Sequence, residues 1–249
     1  MFRTHYKIER KSIALAVAIM VVASIGGFIE IAPLFTIDGT VEHDPEMRLY
    51  TPLELAGRNI YIREGCYACH SQMIRTLQDE VDRYGPYSLA VESRYDHPML
   101  WGSKRTGPDL ARVGGKYSDQ WHKAHLDNPR AVVPQSIMPR YAWLSSTELR
   151  TGDLGDHLRA QRAVGVPYSE AMIANAPADA RAQALPGSDS AGLTERYGEA
   201  TQVRAFDGDP GTVTEMDALV AYLQILGKLS NAASSERGGS VASAERAAP

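Results

Sequence analysis

Apolar and polar positions divide this chain sharply near its start. Residues 12–28 contain no charged side chain and consist mostly of Ala, Val, Ile, Leu and Gly; after Glu30, residues 31–35 are again largely apolar. At about 1.5 Å per residue, roughly 20 such residues cross a bilayer core of about 30 Å as a helix. One transmembrane anchor is therefore expected over residues 12–35. Arg3, Lys7, Arg10 and Lys11 precede it against one acid, Glu9, which places residues 1–11 in the cytoplasm and everything after Phe35 outside. No Ala-x-Ala site closes the apolar run, and the run exceeds a usual signal core, so an uncleaved single-pass anchor is expected over a removed signal peptide. Glu30, near the outer end, would reach the headgroup region at small cost.

Helical signals return beyond a linker over residues 36–50. Thr51-Pro52-Leu53-Glu54 has the form of a capping box with proline at the first helical position, opening a short amphipathic helix that stops at Gly65. Far along the chain Thr212 and Glu215 offer another capping box; Met216, Leu219, Val220 and Leu223 recur at helical spacing, and Gly227 closes that helix. Gly57 gives the second helix a place to approach the first closely, with Tyr61 and Tyr222 as candidate contacts. Residues 51–228 then form one mostly α domain, with long insertions at about 71–106 and 140–210. Residues 229–249 are small and polar, carry too little apolar surface to pack, and are expected to be disordered.

Composition changes this picture little: 249 residues, 44% hydrophobic and 22% charged, allow one or two ordinary folded domains. The net charge of −4, with no basic cluster beyond the extreme N-terminus, speaks against a nucleic-acid partner. Cysteine usage matters more. Only Cys66 and Cys69 are present, so no framework of several disulfides exists and both serve one local purpose.

That purpose is written in Cys66-Tyr67-Ala68-Cys69-His70, the Cys-x-x-Cys-His sequence that attaches c-type haem. Two thiols one turn apart can add to the two haem vinyl groups, and the adjacent His70 then lies under the iron. A redox dithiol of the thioredoxin kind is the rival, but it would sit in an alternating strand and helix pattern, which is missing. For the second face of the iron, Met138 lies in Val133-Pro134-Gln135-Ser136-Ile137-Met138-Pro139, an extended loop whose prolines hold a side chain at low entropic cost. Met73, one turn after His70, is expected on the same helix and so on the same face, and Met216 belongs to the apolar stripe of the last helix. His122 and His125, in an expected helix over residues 118–126, would give a lower-potential bis-histidine site; Met99 is a further fallback.

The two terminal helices beside such a motif resemble those of class I cytochrome c domains, which cross next to the haem. In those domains a Gly-Pro-x-Leu turn offers its proline carbonyl to the proximal histidine; Gly107-Pro108-Asp109-Leu110 matches, which implies that Pro108 orients His70. Longer stretches together resemble one family, the mono-haem subunit II of cbb3-type cytochrome c oxidases. They are His5-Tyr6-Lys7-Ile8-Glu9, residues 26–35 and 50–75, Arg83-Tyr84-Gly85, Tyr95-Asp96-His97-Pro98, and residues 101–110. The run from Ala111-Arg112-Val113-Gly114-Gly115-Lys116-Tyr117 to Met138-Pro139 is the most specific, and Gly165-Val166-Pro167-Tyr168 also fits. Departures are small: Thr76-Leu77-Gln78 differs from the family's usual types, and the tail is long.

The resemblance implies a complex of the bacterial inner membrane, with the haem domain on the periplasmic side. Electrons enter a di-haem cytochrome c subunit, pass through one covalent haem c on this subunit, and reach a membrane subunit whose haem b and haem–copper centre reduce oxygen. This chain would then relay electrons without turning over a substrate itself. The long insertions would be docking surfaces, with Tyr95, His97, Trp101 and Arg105 as anchors, or solvated excursions, the latter especially over residues 174–198. A free-standing anchored cytochrome shuttle, a haem sensor or peroxidase with an open sixth position, and an anchored thiol–disulfide oxidoreductase are the alternatives.

Overall fold

The computed structural model describes residue 6, residues 9–35, residue 44, and residues 47–102 and 104–230. Of the tail expected to be disordered from residue 229, Leu229 and Ser230 are instead buried, with the Arg48 N–H donating to the Leu229 carbonyl at 3.0 Å; the remainder, from residue 231, and most of the expected linker lie outside the described residues. The chain divides into two compact units, Met1–His43 and Asp44–Pro249.

The first unit is dominated by α1 (Ser12–Ile31), continued by a 3-10 turn over Ala32–Phe35. Ser12–Leu34 is long and apolar enough to cross a membrane, and none of its most apolar stretch is buried by protein. Ile13, Met20 and Phe28 are 80%, 67% and 72% exposed, so apolar side chains emerge all round the helix. Such a surface is stable where lipid covers it.

The second unit is helical and, among the described residues, has no strand beyond an isolated bridge between Glu148 and Thr214. Its first helix, α2 (Pro52–Arg63), begins at the expected capping box: Thr51 Oγ1 accepts the Glu54 N–H at 3.2 Å and the Glu54 carboxylate accepts the Thr51 N–H at 2.8 Å. Gly65, at φ 72°, supplies the left-handed residue that ends it. Then follow α3 (Gln78–Tyr84), α4 (Asp119–Asp127) with Ser118 as its cap, α5 (Pro129–Val132), α6 (Leu154–Ala163), α7 (Glu170–Ala184), α8 (Ala191–Tyr197) and α9 (Glu215–Ile225).

Helices α2 and α9 make the most extensive helix–helix contact. They meet at Gly57, where a Cβ would stand 1.9 Å from the Ala218 carbonyl oxygen and 2.8 Å from Tyr222 Cβ. The Tyr61 and Tyr222 rings pack beside this crossing with centroids 5.6 Å apart.

Three further expectations need correction. The cap of α9 is Thr214 with Asp217, two residues later than Thr212 with Glu215. Both registers have the same pattern, but the Val213 carbonyl accepts the Leu149 N–H at 2.9 Å, which holds that stretch extended. Asp217 also accepts the Asp207 N–H at 2.9 Å, whereas Glu215 turns outward to Arg63. Second, Met73 is not on a helix with His70. The Gln72 N–H goes to the Trp101 carbonyl at 2.9 Å and the Met73 N–H to the Asp109 carboxylate at 3.0 Å, so the backbone donors that would continue a helix are spent elsewhere. Third, residues 174–198 are not a solvated excursion. Ala176, Ala180 and Ala184, at i, i+4 and i+8, are at most 1% exposed, and this alanine stripe lets α7 pack against α2 and α6.

Gly57→Ala tests the crossing. In an open helix the change would gain about 1 kcal/mol from propensity; against the Ala218 carbonyl it should instead cost on the order of 1–3 kcal/mol by overpacking. A lowered thermal midpoint for the full chain in detergent is expected, and an unchanged or raised midpoint would show that the helices separate freely.

Candidate functional site

The site begins where α2 stops. After Gly65 the chain makes a 3-10 turn over Cys66–Ala68, with the Cys69 and His70 N–H groups donating to the Cys66 carbonyl at 3.1 and 2.9 Å. This turn sets the two cysteines one turn apart; both are free thiols, Cys66 half-buried and Cys69 exposed. Burial and the nearby Glu64 push the Cys66 thiol up to about 12. A redox dithiol needs the opposite shift, toward an available thiolate.

His70 is held from below by the loop at residues 107–109. Its Nδ1 lies 2.9 Å from the Pro108 carbonyl oxygen. A carbonyl can only accept, so the imidazole carries its proton on Nδ1 and presents Nε2, which has no hydrogen-bond partner among the described residues, as a free lone pair. The Gly107 N–H donates to the Cys69 carbonyl at 2.9 Å, and a Cβ at Gly107 would stand 2.2 Å from His70 Cε1. Only glycine lets this loop lie flat against the ring.

Asp109 ties the loop down. Its carboxylate accepts from Ser71 Oγ at 2.6 Å, from the Met73 N–H at 3.0 Å, from Arg105 at 3.2 Å and from the Ala111 N–H at 2.8 Å. Arg105 also donates to Glu80 at 2.7 Å and to the Met73 carbonyl at 2.8 Å, holding the Glu80 carboxyl well below the usual carboxylate range. Arg105, expected as an interface anchor, is therefore spent inside the site's frame. The Asp109 framework was not anticipated; the signal for it was an Asp just after Gly-Pro, able to bond the backbone two residues on.

Met138 lies on the loop that follows α4 and α5. Its N–H donates to Ser136 Oγ at 3.2 Å, and its side chain packs, partly buried, on the same core as Cys66. Just beyond it, the Tyr141 N–H donates to the Leu126 carbonyl at 2.8 Å and Arg140 to the Asp127 carbonyl at 3.1 Å, which returns the loop to the end of α4. Tyr141 likewise packs, partly buried, on the core that Met138 and Cys66 share. The Tyr141 hydroxyl is pushed up by burial and then by Cys66, Glu64 and Cys69; the His125 imidazole is pushed down by burial and then by His70. Of the other candidates, Met216 is wholly buried in α9, Met99 is 50% exposed, and His122 is 3% exposed, with burial pushing it down to about 4.

These donors fit a c-type haem. They comprise two unpaired thiols, an imidazole whose Nε2 has no hydrogen-bond partner among the described residues, and a partly buried thioether, and in the same segments Tyr67, Ile137 and Trp143 are 43%, 76% and 48% exposed, apolar area that a macrocycle could cover.

The family model described as cytochrome C oxidase, mono-heme subunit/FixO matches residues 5–229. The chain belongs to this family. No curated protein matches it in sequence. As a FixO-family protein it is a mono-haem cytochrome c subunit of a cbb3-type oxidase, works in electron transport, and is one part of a complex with other subunits. The match begins ahead of α1 and ends at residue 229, so it takes in the apolar helix, the Cys-x-x-Cys-His turn, the Pro108 loop and the Met138 loop together.

Gly107→Ala should displace the His70 ring in this FixO-family subunit, because the added methyl meets ring atoms rather than a flexible tip. The expected result is loss of haem or of its low-spin absorption spectrum in the purified chain. An intact spectrum would show that the loop withdraws without disturbing His70.

Proposed function

We propose that this chain is the single-electron relay of a cbb3-type oxidase and performs no substrate turnover itself. It takes electrons from a di-haem cytochrome c subunit and passes them to the membrane subunit whose haem b and haem–copper centre reduce oxygen. Cys66 and Cys69 would tether one haem c covalently, His70 and Met138 would supply the ligands to its iron, and the Pro108 carbonyl would orient His70. A haem held there supplies a one-electron iron couple, and thioether ligation on the sixth position raises its potential. The observation that carries this reading is the His70 imidazole fixed through Nδ1 to Pro108 at 2.9 Å, with Nε2 free beside two unpaired cysteines.

The residues around the iron do the protein's share of the work. The Pro108 carbonyl holds the proton on His70 Nδ1 and fixes the ring's direction. The Met138 loop, stiffened by Pro134 and Pro139, supplies its thioether from a backbone already ordered. Residues 12–35 anchor the relay in the bacterial inner membrane, with the N-terminus cytoplasmic and the haem domain, residues 51–228, on the periplasmic side. The positive charges before α1 support this orientation.

A free-standing anchored shuttle would share the haem and the anchor, so the separating experiment is purification from membranes in mild detergent. The protein should carry the mass of one covalent haem and co-elute with haem b, copper and oxygen uptake. Recovery with c-type haem alone would leave the shuttle, and a chain without added haem mass would remove both readings. Met138→His should lower the haem potential and shift the reduced spectrum, with an unchanged potential counting against Met138 as ligand.

A further inference from the structure

Residues 128–147 carry two charged side chains, Arg130 and Arg140, and no acid, in a chain where acids outnumber bases by 30 to 26. Both arginines are exposed, and each is held through a single atom. Arg130 Nε donates to the Ser136 carbonyl at 3.1 Å, and Arg140 Nε to the Asp127 carbonyl at 3.1 Å. The terminal nitrogens of both guanidinium groups make no hydrogen bond or ion pair among the described residues. The Asp127 carboxylate, just ahead of this stretch, is already taken: Lys123 Nζ donates to it at 2.7 Å and Ser145 Oγ at 2.8 Å. Other arginines of this unit are used up inside the fold, Arg58 by Asp96 and Arg105 by Glu80 and Asp109.

The chain between the two arginines is ordered before anything binds it. The Ala131 N–H donates to the Asn128 carbonyl, the Val133 N–H to that of Pro129 and the Ser136 N–H to that of Val133, each at 2.9 Å, and Pro134 has a fixed φ. Ala131, Val133, Pro134 and Gln135 are exposed on this backbone, while Ile137, 76% exposed, is apolar area assigned above to the haem. Fixing each guanidinium at Nε removes part of the side-chain freedom that binding would otherwise cost. It leaves the two terminal nitrogens as a planar pair of donors, a geometry that matches the two oxygens of a carboxylate. Ion pairs bathed in water contribute little, but apolar contacts beside them exclude water and strengthen them. A loop seated in lipid would want an aromatic residue at the interface, and none lies between Arg130 and Arg140.

We propose that Arg130, Arg140 and the exposed residues between them are a surface through which this subunit docks on another protein subunit of its complex. The partner gives a carboxylate to each guanidinium and apolar side chains to Ala131, Val133 and Pro134. Arginine is enriched at such interfaces because its fork pairs bidentately and is weakly hydrated. The docking surface goes beyond the relay reading and needs no particular iron ligand; it rests on the family's place in a complex with other subunits.

The test is made on the purified oxidase complex. A water-soluble carbodiimide joins an amine to a carboxylate beside it and spares guanidinium groups. R130K and R140K each put a reactive amine in place of one fork, and Q135K puts one between the arginines with both kept. Peptide mass spectrometry of the treated complexes is expected to find the introduced amine of R130K or R140K joined to an Asp or Glu of another subunit. The double variant R130Q/R140Q is expected to release that subunit at a lower salt concentration than the unsubstituted complex. Where the arginine variants do not assemble, Q135K decides, and a joint from its amine to another subunit supports the surface. Amines joined only within this chain, or not joined at all, in every variant that assembles would overturn the proposal. Loss of bound anionic phospholipid from R130Q/R140Q with every subunit retained would also overturn it, by assigning the arginines to lipid. Haem b, copper and oxygen uptake are followed in the same samples, so a failed docking surface is told apart from a failed relay reading.

Discussion

Everything in the haem-motif unit depends on the close crossing of α2 and α9 at Gly57, because the site is built from what those two helices carry at their ends. Helix α2 delivers the Cys66–His70 turn, and α9 is buried along its whole length from Met216 to Ile225. The missing side chain at Gly57 lets the Ala218 carbonyl sit where a Cβ would stand at 1.9 Å. That proximity brings Tyr222 within reach of Gln72, whose side chain it meets at 3.0–3.1 Å just past the haem motif. Removing a methyl group from one position thus fixes the distance between the motif and the core, and close packing transmits that distance outward.

Charges buried around this crossing do a different task. Arg58, 1% exposed, pairs with Asp96 at 3.0 Å, and Tyr50 donates to the same carboxylate at 3.0 Å. On the other side of the motif, Arg105, Asp109 and Glu80 form a second network. Buried ion pairs contribute little net stability over apolar packing, but each has few acceptable geometries. Here they hold two loops, residues 96–98 and 105–111, that have no regular hydrogen-bonding pattern of their own. The networks therefore specify where irregular backbone lies, which helix propensity cannot do.

What was legible in the sequence follows the range of the interactions involved. The capping box at Thr51, the stop at Gly65, the apolar helix and the close approach at Gly57 are set by neighbours a few residues apart or by a missing side chain, and each could be read directly. The cap of α9 was misread by two residues because its deciding contacts, Leu149 to Val213 and Asp207 to Asp217, come from outside the local pattern. The alanine stripe of α7 was missed because alanine carries little hydrophobic signal, although a small side chain is what a tight helix contact requires. At the site, the Cys-x-x-Cys-His spacing and the His70 contact with Pro108 were open to sequence reading. The Asp109 frame was not, since it exists only once segments far apart in the chain meet.

An electron relay imposes one demand on such a site: the same ligand geometry must serve both oxidation states, since any rearrangement adds to the barrier. The arrangement meets that demand through backbone bonds more than through packing. The carbonyl of Pro108 grips the His70 ring, the Gly107 N–H grips the Cys69 carbonyl, and the Asp109 carboxylate gathers Ser71, Met73 and Ala111 around them. The Met138 loop, in turn, is pinned to α4 at residues 126 and 127. Neither side can shift without breaking several hydrogen bonds at once. On the reading proposed above, the protein's contribution is therefore to hold two ligands still and leave the change of charge to the iron.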